Sequence, residues 1–232
     1  MRKLISVLLA LLLACGLTSA LAETRLTVSG TAEVLVPADT AVITVGVTVR
    51  DKDALQAQSK ANGTLSAVRL ALTGAGIAPE DINTGYINLY PVYDYSGETE
   101  QIIGYSASST LAVKVTDLSL AGRVIDLAFG AGANNLEGIS FSVSDESEAR
   151  SAALKAAVTD AGTKAEILAE ASGLKITGIE LIQEGNTYSY DGGSNRFAAK
   201  SVAGAGEEYH STVVQAAKIC VSASVTITYI LE

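Results

Sequence analysis

The sequence predicts an α+β fold: two tandem β-α-β-β units with an N-terminal β-hairpin strand, their antiparallel or mixed sheets packed against helices. Three observations carry this expectation. Runs of alternating apolar and polar residues recur along the chain, as half-buried strands require. Two long segments instead place apolar residues at helical spacing, each opened by a capping Asp and closed by Gly. The same order of elements then occurs twice, with Gly76 and Gly173 ending the two helical segments.

Residues 1–22 read as an export signal rather than as part of the fold. Met1, Arg2 and Lys3 form a cationic start, Leu4 to Leu17 is almost wholly apolar, and Ala20-Leu21-Ala22 has the small-residue pattern of a cleavage site. The apolar run falls short of the roughly 20 residues a spanning helix needs, so no membrane span is expected after cleavage. Leu12-Leu13-Ala14-Cys15 is a loose lipobox, and lipid anchoring at Cys15 is the alternative to cleavage after Ala22.

In residues 23–232, alternation from Leu26 to Val49 breaks at Val36-Pro37-Ala38-Asp39 and reads as an opening hairpin. Asp53 with Gln56 forms a capping box ahead of Ala61, Leu65, Val68 and Leu72, which predicts a helix over about 53–73. Ile82 to Tyr93 and Ile103 to Thr116 predict a second hairpin around the polar turn from Asp94 to Gln101. A short helix from about Leu118 to Ala131 and a strand at Ile139, Phe141 and Val143 follow. Asp145 and Glu148 cap the longest predicted helix, about 145–172, with Leu154, Val158, Ala161, Ala165 and Leu168 as its inward line. Ile176 to Gln183 and Lys218 to Ile230 are the last strands, the latter with Ile219, Val221, Ala223, Val225, Ile227 and Tyr229 on one face. The duplicated stretches are about 41–116 and 139–230, and the Gly-, Ser-, Asn- and Tyr-rich connection at about 184–211 is expected to be a flexible loop.

Composition restricts function. Lys plus Arg number 16 against 25 Asp plus Glu, a net charge of -9, which repels nucleic acid phosphates. One His, two Cys and no Trp leave out most of the parts of zinc sites, His-based triads and Trp-lined sugar clefts. After cleavage Cys220 is the lone thiol, so the core and not an intrachain disulfide must hold the fold. It lies on the Ser222, Ser224, Thr226 and Thr228 face and is expected to be half-buried.

The block Gly104-Tyr105-Ser106-Ala107-Ser108, then Gly130-Ala131-Gly132-Ala133-Asn134, then Gly138 to Asp145, then Asp160-Ala161 with Lys164-Ala165 and Leu168-Ala169, resembles the SIMPL-domain family, also called DUF541. The resemblance runs from about Leu26 to Tyr229. It implies an exported bacterial protein of α+β fold that forms homo-oligomers, in a group described as periplasmic immunogenic or oxidative-stress-defence proteins. It brings no catalytic residues. Gly162 departs from it, since relatives often carry Arg after the Asp-Ala pair.

Each chemical constellation has a structural explanation. His210 beside Glu207, Glu208 and Tyr209 offers an imidazole and two carboxylates, yet near neighbours in one loop rarely converge on a metal. Asp145, Glu146 and Glu148 suit the first turn of a helix, and Asp51 and Asp53 lack the other ligands of a calcium loop. Gly104 to Ser108 matches only part of a nucleophile elbow and has no helix after it. No catalytic residue, metal or cofactor is therefore expected. Tyr86, Tyr90, Tyr93, Tyr95 and Tyr105 fall in the second hairpin, with Tyr188 and Tyr190 in the matching connection. Tyr93, Tyr95, Tyr188 and Tyr190 form the candidate interaction surface, because Tyr supplies contact area at little entropic cost. The function expected is that of a non-enzymatic, self-assembling protein of the cell envelope. The competing classes are a monomeric binding module using the tyrosine-bearing loops and a metal-dependent hydrolase.

Overall fold

A computed structural model describes residues 23–97, 99–191 and 211–232. The proposed export signal with Cys15, and Glu207, Glu208, Tyr209 and His210, lie outside the described residues. The α+β class is what the chain adopts. In order its elements are β1 (Thr24–Pro37), β2 (Thr40–Asp51), α1 (Ala54–Gly74), β3 (Ile82–Asp94), β4 (Gln101–Val115), α2 (Ala121–Gly130), β5 (Asn135–Ser142), α3 (Ser147–Ala171), β6 (Ile176–Glu184), β7 (Tyr188–Asp191) and β8 (Lys218–Leu231). They fall into two compact units, one comprising the chain up to Ala32 with Leu154–Thr187 and Ala223–Glu232, the other Glu33–Ala153 and Tyr188–Ser222.

The larger unit is built on a sheet of order β3-β4-β2-β5. Its three strand pairings are antiparallel, and Ile43 faces Val113 on one side and Ile139 on the other. Alternation makes one face apolar, and α1 and α2 pack against it. Ile43, Val45, Leu111 and Val113 from the sheet meet Val68 and Leu72 of α1, Val124 and Ile125 of α2, and Ile219 in one buried cluster. The cap of α1 is as its sequence predicts, with Gln56 N donating to Asp53 Oδ1 at 2.9 Å. In the Gly130 to Asn134 motif, Gly132 turns the chain at φ +106°. Asn134 Oδ1 then accepts from Thr48 N at 2.8 Å while its Nδ2 donates to Thr48 O at 2.9 Å. One amide side chain thus continues the β2–β5 ladder past its last pair, Gly46 and Asn135.

In the smaller unit β8 lies between β1 and β6. Thr27 and Ser29 hydroxyls meet those of Thr228 and Thr226, while Val225, Ile227 and Tyr229 point to the buried side. Asp160 of α3 receives Thr31 N at 2.9 Å and the Lys164 ammonium at 2.6 Å. Gly173 closes α3 at φ +71°.

Three expectations need correction. Strands β1 and β2 do not form a hairpin. Both edges of β2 are taken by β4 and β5, and β1 joins the sheet of β8 instead. The corner between them is tied to the end of β5: Asp39 N donates to Ser142 O at 3.1 Å, and the Asp39 carboxylate receives Ser144 N and Oγ at 2.8 and 2.7 Å. Secondly, the inward face of α3 is a line of alanines, Ala149, Ala153, Ala157, Ala161, Ala165 and Ala169, whereas Val158 and Leu168 are exposed and Leu154 is half-buried. Gly30 of β1 approaches so closely that a Cβ there would stand 2.1 Å from Ala157 O, a spacing only small helix residues allow. Thirdly, the start of the connection read as a loop is strand β7, because Tyr188 to Asp191 pairs with Ser222 to Ile219.

Candidate interaction surface

Strand β3 is an edge strand, paired through β4 alone. Pro91 within it fits that place, since a central strand would need its missing N–H. From Asn83 to Tyr90 every residue is exposed, on both faces. The opposing residues of β4 are small: Ser109 faces Ile87, Ser108 faces Asn88, Ala107 faces Leu89 and Ser106 faces Tyr90. Little side-chain bulk on β4 therefore supports the large groups of β3. Ile87 remains 60% exposed, and Leu89, Tyr90, Ile102 and Ile103 extend the apolar surface along the hairpin. Tyr86 N donates to Thr110 Oγ1 at 3.1 Å in the irregular stretch between Thr84 and Ile87.

The four predicted tyrosines resolve into two pairs. Tyr93 and Tyr95 meet at a centroid distance of 6.1 Å and a 43° tilt at the hairpin tip, where Tyr95 is 73% exposed. Tyr188 and Tyr190, on one face of β7, stack at 5.9 Å and 30°. Among the described residues, ring contacts join the members of each pair and not one pair to the other. Tyr190 also donates from its hydroxyl to Glu33 Oε1 at 3.0 Å and stands opposite Cys220 in the ladder. The Cys220 thiol, and then the Glu33 carboxylate, hold its phenol well above the ordinary value. Cys220 itself is 2% exposed, not half-buried, because this end of β8 is covered on both faces and β7 runs beside it. Tyr86 donates to Glu137 Oε1 at 2.8 Å, and that bond, with burial second, raises its phenol too. These phenols stay protonated near neutral pH, which suits them to contact and not to proton transfer.

Sequence reasoning missed Ile87, Leu89, Ile102 and Ile103. The signal was present, as Tyr86-Ile87-Asn88-Leu89-Tyr90 is too apolar for a strand with one solvated face.

The other constellations take part in local structure where they are described. Asp145 Oδ1 accepts from Ser147 N at 2.9 Å at the start of α3, and Glu146 pairs with Arg150 at 2.8 Å and accepts from Ser189 Oγ at 2.6 Å. Asp51 pairs with Lys60 at 2.5 Å. Ser106 lies mid-ladder between Tyr90 and Arg50, its hydroxyl buried and unpartnered. Among the described residues no group of three or more His, Cys, Asp or Glu could hold a metal ion, and no helix is long and apolar enough to cross a membrane.

Comparison with known proteins gives relatives for this arrangement. The 26 kDa periplasmic immunogenic protein of Brucella melitensis is 30% identical over 165 residues, 69% of this chain and 66% of that protein. The uncharacterized protein YggE of Escherichia coli K12 is 31% identical over 141 residues, 61% of this chain and 57% of that protein. YggE of Edwardsiella ictaluri is 30% identical over 149 residues, 64% and 62% of the two chains. The chain thus spans about two thirds or less of the length of these relatives. A family model described as a protein of unknown function, DUF541, matches residues 26–229, which take in both compact units, and the chain belongs to the SIMPL family.

Proposed function

We propose that this chain is an exported, non-enzymatic protein of the cell envelope that self-associates through the β3–β4 hairpin and serves in stress defence. The observation that carries self-association is the apolar edge from Tyr86 to Tyr90, exposed on both faces of a strand that has one free side. Such edges recruit another strand or surface, and soluble proteins usually blunt them with charge. No charged residue lies between Ile82 and Tyr93. Export is supported by the character of residues 1–22 and by the name of the Brucella relative, a periplasmic protein. The stress role rests on resemblance alone. Internal duplication belongs to the same proposal, supported by the recurrence of a helix, a strand and a long strand paired back on it, α1-β3-β4 and α3-β6-β8.

A second reading, a monomeric binding module, is favoured by the Tyr188–Tyr190 stack, which offers a separate aromatic platform on β7. Light scattering on the processed protein separates the two. Self-association gives a mass several times the protomer's that falls to the protomer's when Ile87 and Tyr90 are both changed to Lys. A protomer mass at every concentration, or an assembly indifferent to the two lysines, contradicts it.

A further inference from the structure

In the smaller unit an open groove of about 850 Å³ runs between the C-terminal half of α3 and the start of β6, with Gly162, Glu166, Glu170, Lys175, Ile176 and Tyr229 on its walls. Tyr229 is the telling residue. It is 6% exposed, no hydrogen bond reaches its hydroxyl among the described residues, and its oxygen opens on the groove. A phenol packed on its ring and open at its oxygen offers an occupant of the groove one fixed hydrogen-bonding atom. The hydroxyl points toward Gly162, since a Cβ built there would lie 3.8 Å from it with nothing else within 4 Å. Packing therefore does not require glycine at this position. A glycine inside a helix is nonetheless less favourable than alanine. What Gly162 provides is room above the phenol.

The electrostatics of the groove select the sign of an occupant. Glu166 and Glu170 set two carboxylates against the single ammonium of Lys175. The last turn of α3 carries no basic residue to offset them. Burial, and then the Glu166 charge, push the Tyr229 phenol above its ordinary value, so its oxygen stays a neutral hydroxyl able to accept from a cationic N–H. Ile176 and Ala169 supply apolar wall for a hydrocarbon body.

We propose that this groove is a binding site for a small amphiphilic amine, with its ammonium between the Tyr229 hydroxyl and the Glu166 and Glu170 carboxylates and its apolar body over Gly162 and Ile176. The site lies apart from the β3–β4 hairpin in sequence and unit, so it does not depend on the self-association reading.

Equilibrium dialysis of the exported full chain with n-octylamine, n-octanol and n-octanoate, all below micelle-forming concentrations, tests it. Saturable uptake of one n-octylamine per protomer is expected, with n-octanol weaker and n-octanoate weakest. Gly162→Leu should fill the room above the phenol and weaken n-octylamine at least about tenfold, while keeping the melting temperature because leucine is the better helix former. Tyr229→Phe keeps the packing, removes the hydroxyl and should weaken binding roughly 5- to 10-fold, the range of one hydrogen bond. Glu166→Gln with Glu170→Gln should erase the preference for the amine over the alcohol. Absence of saturable uptake, preference for n-octanoate, or wild-type affinity in folded Gly162→Leu and Tyr229→Phe proteins overturns the proposal.

Discussion

Asp39 shows what a single side chain settles in this fold. Its carboxylate gathers the Ser144 hydroxyl, the Thr40 hydroxyl and the Ser144 amide, which in that order hold its pKa below the ordinary 3.8. A carboxyl whose folded value is depressed adds stability that is complete above its unfolded value, near pH 4, and is lost as pH falls through the lower folded value. Urea midpoints followed from pH 7 to pH 2 should therefore drop more steeply in the wild type than in Asp39→Asn, with the difference confined to the region below about pH 4. Glycines give a sharper contrast. Gly30→Ala would drive a Cβ into the Ala157 carbonyl and the Ala161 amide, at 2.1 and 2.6 Å, and should cost about 1–3 kcal/mol or more. Gly63, inside α1, has nothing within 4 Å of its missing Cβ, so Gly63→Ala should stabilise by about 1 kcal/mol. Chemical denaturation of the two variants measures both signs at once.

Among the elements, those with local signals were legible and those whose partners are distant were not. The bounds of α1 follow from Asp53 and the Ala61, Val68 and Leu72 spacing, and the β3–β4 hairpin from its polar turn. Alternation shows that β1 is a strand but carries no information about its neighbour, which both occupied edges of β2 decide. The face of α3 is not legible because size favours Val158 and Leu168 as the inward residues, whereas the close backbone of Gly30 selects alanine. Leu168→Ala should accordingly change stability by no more than about 0.5 kcal/mol, while Val68→Ala, fully buried in the larger unit, should cost about 2 kcal/mol or more. Asn134→Ala removes both bonds to Thr48 and should cost about 1–3 kcal/mol, which explains a motif that as sequence looks like mere punctuation. The tyrosine pairs were legible as Tyr93–Tyr95 and Tyr188–Tyr190, since residues two apart share a strand face. The groove at Tyr229 was not, because its parts come from α3, β6 and β8.

For the molecule as a whole, the side chains that would make an enzyme are scarce, while large apolar groups are left in water along a free strand edge. Assembly through that edge gives the β3 amides on the unpaired side hydrogen-bond partners they otherwise lack. Amide hydrogen exchange across Asn83 to Tyr90, measured on the processed protein at high and at low concentration, is the most direct check. Slow exchange when concentrated that becomes fast on dilution is the expected result. Equally fast exchange at both concentrations, with β4 protected, would contradict self-association through the hairpin.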